Sequence, residues 1–478
     1  MKKFVYRGYL LVSLLMMVHV SAMAQHQEIT EKPDLWKGKR KQSEDTLQLL
    51  HAFKKGQVHG HFRYFAMATD NQGALSDYFA HAAGGGIKFE TAPFKGFQLG
   101  VSGFFVFNLY SSDFTRPDSS TQLMNRYEVA LFDVTNAANK NNIDRLEELY
   151  LSYRKNSFHI TVGKQLLNTP FINLQDGRMR PTEVGGVFAT GKITASDSFE
   201  CGYLYQVSPR STVDWYTIGE SIGLYAQGVN PNGEKGNYRG NISSRGIGLL
   251  GYSKHLKKNW ALKVYDTYVD QVFNTLLLQT DYRHRVKKNH DIVTAVQWII
   301  QQPIKNGGNE DPAKTYFQKG EWSQTFGIKL GWEHGYWNTS INYNRITAHG
   351  RYLMPREWGR EPFFTFLPRE RNEGLADVHA LVLKTQRSFP KAHTKAQVGA
   401  GYYRLPSVYR FEANKYGMPS YAQLNIDLRH EFTGFLKGME VQGLWVYKMN
   451  LDHNVLNNKF RLNKVDMSNW NLVLNYHF

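Results

Sequence analysis

The sequence predicts an all-β fold, a transmembrane antiparallel β-barrel of about eighteen strands, and three observations predict it. The first is the last ten residues, NWNLVLNYHF, in which Leu472, Leu474, Tyr476 and Phe478 alternate with Asn471, Asn475 and His477. A strand with that period has one face for hydrocarbon and one for water. Only Val473 breaks the polar row. The second is an export signal at the start of the chain. The third is a series of period-two segments joined by connections that are short and long in turn, as the two ends of an outer-membrane barrel require.

Lys2, Lys3 and Arg7 form a positive region, Tyr9 to Val20 an apolar one, and Ala22, Met23 and Ala24 a small-x-small cleavage site before Gln25. The apolar run is shorter than the roughly 20 residues that a spanning helix needs. Residues 1–24 therefore read as a signal peptide. Residues 25–56 are polar, with basic residues at Lys37, Lys39, Arg40 and Lys41 and a short amphipathic pattern, SEDTLQLLHAF, for which Ser43 is the candidate N-cap. They read as a periplasmic N-terminal extension, and residues 57–478 as the barrel.

Strands are expected near 57–68, 79–91, 96–108, 146–155, 157–168, 184–195 and 198–208. Others follow near 239–254, 259–270, 273–286, 291–302, 321–334 and 336–348, and the last five near 375–388, 394–405, 419–432, 438–449 and 463–478. The count is even, as single-chain bacterial barrels require. From a periplasmic start, the even-numbered connections are TAPFKG, RKNS, ASDS, HLKKN, KKNHD, HGYWN, SFPKAH and TGFLKG, all short. Odd-numbered ones include 109–145, 169–183, 209–238, 303–320, 349–374 and 406–418, all long. The connection near 271 is short for an external loop.

Strand parity sorts the side chains. Trp322, Phe326, Ile328, Leu330 and Trp332 share one face and Thr325, Gly327, Lys329 and Glu333 the other. Leu424, Ile426 and Leu428 oppose Gln423, Asn425, Asp427, Arg429 and Glu431, and Trp337, Ile341 and Tyr343 oppose Asn338, Ser340, Asn342 and Asn344. One consistent face is charged or amide-bearing, so the inside is read as wet, a channel rather than a filled core. Parity nominates Arg63, Lys192, Lys263, Arg283, Lys329 and Arg429 as wall cations, with Glu148, Asp281, Glu333 and Asp427 as counter-charges. Most such residues form cross-strand pairs worth roughly 0.2–1 kcal/mol each.

Composition agrees with this reading. Aromatic residues make up 14% of the chain, which suits barrel interface girdles. The single cysteine, Cys201, excludes an intrachain disulfide and a multi-cysteine metal site, and parity puts it on the lipid face as a small apolar filler. The net charge is +17, three less without Lys2, Lys3 and Arg7. For an exported barrel that excess reads as a pore favouring anions, or as cationic rims against lipopolysaccharide and peptidoglycan, and not as nucleic-acid binding.

The apolar strand ending on an aromatic residue resembles the assembly signal of bacterial outer-membrane barrels. Longer runs carry a family resemblance: HGHFRYFAMATDNQGALSDYFAHAAGGGIKFE, FKGFQLGVSGFFVFN, EELYLSY, GKQLLNTPFINLQDGRMRPTEVGGV and PREWGREPFFTFLPRERNEG. They resemble the OprD-type outer-membrane channels, in particular counterparts in Bacteroidetes-like bacteria, over essentially the whole chain after about residue 57. The resemblance implies an eighteen-stranded monomeric barrel narrowed by inward-folded external loops, passing small solutes, often carboxylates, along a basic track. It implies a constriction from the third external loop, TPFINLQDGRMRPTEV, where Asp176, Arg178 and Arg180 stand beside Gly177 and Pro181. Guanidinium forks there match a passing carboxylate.

In RYLMPREWGREPFFTFLPRER, the cations Arg351, Arg356, Arg360, Arg369 and Arg371 mix with Glu357, Glu361 and Glu370 around Trp358, Phe363, Phe364 and Phe366. A set so near balance argues for a lid or wall loop ordered by its own ion pairs and aromatic packing. Arg356, Trp358 and Arg360 are its candidate functional residues. The alternative is a barrel enzyme of lipase or protease type, or an adhesive surface barrel. The chain lacks G-x-S-x-G, H-E-x-x-H and a P-loop, and His59, His61, Asp70 and Asp77 form no recognisable catalytic spacing. About thirty residues before the first strand are too few for the plug of an energy-coupled transporter. The expected partners are outer-membrane lipid and lipopolysaccharide, small hydrophilic solutes and the barrel-assembly machinery, with no cofactor and no metal.

Overall fold

The computed structural model describes residues 35–36, 45–175, 178–455 and 457–478. The expected signal peptide, residues 25–34 and 37–44 of the expected extension (Ser43 among them) and Asp176 lie outside the described residues.

Eighteen strands form the wall, from Gln57–Asn71 to Met467–His477, each antiparallel to its neighbour. The first and last strands pair from His61↔His477 to Asn71↔Met467, which closes the sheet and leaves no edge. A two-residue strand, Tyr216–Thr217, sits beside Asp197–Ser208 inside a long loop. All eighteen expected segments are strands. The largest offset is Ile247–Lys257, which starts eight residues after the expected 239. Residues before it bond to another loop instead: Ser243 N donates to Gly308 O at 2.8 Å, and Asn309 Nδ2 to Asn241 O at 2.6 Å. The short connection near 271 is a tight turn, Val272 N donating to Val269 O at 3.0 Å, with Gln271 left-handed at φ 63°.

The outward rows are apolar and exposed: Phe326, Ile328, Leu330 and Trp332 on one strand, Ile426 and Leu428 on another, Trp470, Leu472 and Tyr476 on the last. Cys201 shares the parity of exposed Tyr203 and Tyr205. An exposed band of this extent is stable only against hydrocarbon. Trp260, Trp332, Trp337 and Phe158 stand next to the short turns, where an aromatic girdle belongs. The opposite rows, with Thr325, Lys329, Ser340, Asn342, Gln423, Asn425, Asp427, Asn469 and Asn471, are buried.

Two features depart from plain alternation. In Ile143–Lys155 the ladder to Phe97–Ser111 shifts between Ser102 and Gly103, pairing Ser102 with Glu148 and Gly103 with Leu146. That β-bulge turns both Glu147 and Glu148 inward, and both are buried. On several strands the inward row becomes apolar toward the end that carries the long loops, as with Leu204 and Val207, Ile247 and Leu249, Tyr265 and Val269, and Val378, Ala380 and Val382. These residues share one core with Phe171, Ile172, Trp358, Phe363 and Leu367, which come from loops. The loops fold inward and bring their own hydrophobic core.

Candidate functional site

Four long loops, 112–142, 166–182, 209–246 and 347–377, meet inside the wall. The last of them runs across it, held at four strands in chain order. Gln301 Nε2 donates to Leu353 O (2.7 Å), Gln297 Nε2 to Pro362 O (3.1 Å) and Lys384 Nζ to Phe364 O (2.5 Å). Gln423 Nε2 then donates to Pro368 O (2.7 Å) and Lys448 Nζ to Arg369 O (2.5 Å). A loop fixed to four strands is a wall of the lumen. Its Glu357 carboxylate accepts from the backbone N–H groups of Gly223 and Tyr225, and Trp358 Nε1 donates to Ser221 Oγ at 2.9 Å. Asn173 of loop 166–182 donates its backbone N–H to Trp358 O at 3.0 Å. Gly359, at φ 149°, permits that approach, since a Cβ there would lie 2.6 Å from Asn173 Oδ1.

Arg178 and Arg180 are both buried and have different environments. Arg180 Nε donates to Glu147 Oε1 at 2.5 Å, and its Nη2 to Glu147 Oε2. Burial opposes its charge, but the Glu147 carboxylate outweighs burial and raises its pKa. Its guanidinium also lies over the rings of Phe104 (4.3 Å) and Trp36 (5.1 Å). Arg178 is pulled well below its ordinary value, first by burial and then by the cations of Arg369 and Arg210. A guanidinium stays protonated in proteins, so this is a concentration of positive charge rather than a titration.

The half-buried cations beside it come from loops 209–246 and 347–377. Arg369 Nε donates to Asn469 Oδ1 (2.9 Å) and Nη2 to Asn471 Oδ1 (2.6 Å), with Tyr127 beneath at 5.7 Å. Arg210 donates to Gln175 Oε1. Arg356 pairs with Glu373 at 3.3 Å, donates to Ala226 O and lies over Tyr416. Arg360 lies over Phe366 at 4.6 Å. Order by the loop's own ion pairs is only partly what forms. Arg351 bonds to the carbonyls of Val229 and Phe411, and Glu373, outside the expected acid set, takes Arg356 and Lys415.

The wall residues divide. Arg283 bridges Asp291 and Glu333 at 2.7 Å each across three strands, and Arg429 pairs with Asp427 at 3.0 Å. Arg63 and Lys329 are buried, Lys263 is half-buried, and Lys192 is exposed at the short-turn rim. His59, His61, Asp70 and Asp77 do not converge, the Asp77 carboxylate accepting Asn71 N–H at 2.8 Å. Parity missed Glu147 because of the bulge, and missed Arg210, Glu373 and Trp36 because they lie outside the strands. The alternating basic and aromatic residues of the loops were the available signal.

No protein-family profile matches the chain, and no curated protein is similar to it in sequence. Solved structures do match. OccK9 (OpdG) of Pseudomonas aeruginosa superposes with a TM-score of 0.69 at 14% identity, over 89% of this chain and 99% of that one. OccAB2 of Acinetobacter baumannii gives 0.68 at 12% identity, over 90% and 99%. OpdK of Pseudomonas aeruginosa, solved with vanillate, gives 0.67 at 12%, over 89% and 99%. The chain thus carries the barrel fold of the OprD/Occ porins, with their extent and nearly their full length.

Proposed function

We propose that this chain is a passive channel of a Gram-negative outer membrane for small hydrophilic anions, carboxylates above all. The observation that carries the reading is the gathering of Arg178, Arg210 and Arg369 where inward loops meet, with Arg356 and Arg360 further along the same loops. Half-buried guanidinium groups offer planar forks that a carboxylate matches in two bonds. OpdK, of the same fold, has been solved with vanillate, an aromatic carboxylate. Solute enters between the long loops, exchanges part of its water for guanidinium donors, and leaves toward the short turns down its gradient. No tight site is needed, because a tightly held solute leaves slowly.

In this reading Arg369 and Arg210 face the solute, Arg178 adds positive field behind them, and Arg180 holds its loop through Glu147. The wall pairs Arg283–Glu333 and Arg429–Asp427 brace the barrel. The test is single-channel recording of purified protein in a planar bilayer under a salt gradient. Steps with an anion-selective reversal potential that weakens in Arg178→Ala and Arg369→Ala support the channel and its filter. Unchanged selectivity in both removes the filter, and no steps from folded protein remove the channel.

A further inference from the structure

Trp36 precedes the first strand by some twenty residues, yet it is buried inside the barrel. Its Nε1 donates to Glu148 Oε2 at 2.9 Å, on the inward face of the fourth strand. Its ring meets His61 of the first strand edge-on, with centroids 6.5 Å apart. The Arg180 guanidinium lies over the rings of both Trp36 (5.1 Å) and Phe104 (4.3 Å). Glu148 also accepts from Lys88 Nζ and Ser102 Oγ, both at 3.0 Å. The indole thus covers an acidic group and one face of a loop arginine. By contrast Thr46, ten residues on, donates its N–H to Pro93 O (2.8 Å) in the turn between the second and third strands, so the start of the described chain is tied to lumen and rim alike.

We propose that Trp36 is a selectivity-determining residue: its indole occupies the lumen between Glu148 and Arg180 and keeps the Glu148 carboxylate away from permeating anions. The proposal rests on the channel reading. A carboxylate bared to the lumen below a cluster of arginines repels the ions that the cluster attracts. Lys88 pairs with this carboxylate at 3.0 Å, and an apolar ring over the pair, accepting a cation on its face and giving its N–H to the acid, keeps it out of reach of permeating ions. It also fills volume beside the path.

The test combines conductance with chemical access. Trp36→Ala is expected to raise single-channel conductance about twofold while moving the reversal potential toward cations. Adding Glu148→Gln to it should return the potential toward wild type and leave the conductance raised. Wild-type conductance and selectivity in Trp36→Ala would overturn the proposal, as would a potential that Glu148→Gln does not restore. Access is read on Ser102→Cys/Cys201→Ser with a charged methanethiosulfonate, each protein first verified as folded by its heat-modifiable gel mobility. Labelling about tenfold faster once Trp36 is Ala shows that the indole is the cover; equal rates show that it is not. If wild type gives no steps, the channel reading fails, and the labelling still decides whether Trp36 shields this pocket.

Discussion

Arg180 and Glu147 hold each other by two hydrogen bonds in a site that is buried on both sides, with Arg145 donating to the same carboxylate at 3.1 Å. A charge fixed this way is structural. Arg180→Ala leaves Glu147 with Arg145 alone, and breaking a buried pair from one side costs roughly 3–5 kcal/mol. The expected result is a lower urea midpoint for the barrel in lipid, with a smaller change in ion selectivity than Arg369→Ala produces. A variant with the reverse ranking would put Arg180 among the solute-facing groups.

Arg369 presents its fork to Asn469 and Asn471 together, and its charge is carried by a half-buried group. Lysine at this position keeps the charge but not the paired geometry. Arg369→Lys should therefore retain most of the anion preference that Arg369→Ala loses, while admitting bulky and compact carboxylates more evenly in liposome swelling. Equal losses in the two variants would assign the effect to shape alone.

The barrel was legible because its period is simple. A wall with hydrocarbon outside and polar side chains inside repeats every second residue, so Ile328 and Lys329 declare their faces without help from distant sequence. Glu147 was not legible, since a bulge is set by the partner strand, and two adjacent glutamates carry no mark of it. Arg178 could be named through the family resemblance of its loop and Arg369 from the mixed charges of its segment, but not their proximity, which depends on two loops nearly two hundred residues apart folding into one space. Trp36 lay in a polar stretch with no period at all. What decides its position is Glu148 on the fourth strand, a long-range contact that local pattern cannot encode.

Glu128, in loop 112–142, is fully buried and accepts from Thr69 Oγ1 at 2.5 Å and Asn125 Nδ2 at 2.7 Å. Burial raises its pKa more than these two bonds and the Arg369 charge lower it. A carboxyl with a raised folded value favours folding fully below its unfolded pKa, and that contribution is lost as pH rises through the folded one. Loop 112–142 should therefore resist protease better at pH 4–5 than at pH 8. Glu128→Gln, which accepts from Asn125 and donates to Thr69, should level the two rates at the lower value. Equal wild-type rates at both pH values would show that the carboxyl does not titrate with loop opening.

Phe478 closes the seam on Gly60. Its carbonyl accepts from Gly60 N at 2.9 Å, its N–H donates to Gly60 O at 3.1 Å, and its ring lies where a side chain on residue 60 would sit, 2.0 Å from a Cβ placed there. The rings of Phe62 and Tyr476 flank it at 5.6 and 5.8 Å. Gly60→Leu must displace that ring or part the two strands, and overpacking of this kind costs about 1–3 kcal/mol. The folded, heat-modifiable fraction after refolding into bilayers should fall several-fold. Phe478→Ala alone should lower it less, because both backbone bonds survive. Combining Gly60→Leu with Phe478→Ala should recover much of the loss, since the leucine then fills the space that the ring vacated. A double variant no better than Gly60→Leu would mean that residue 60 fails through its own strand rather than through the seam, and would separate the packing of Phe478 from the closure of the barrel.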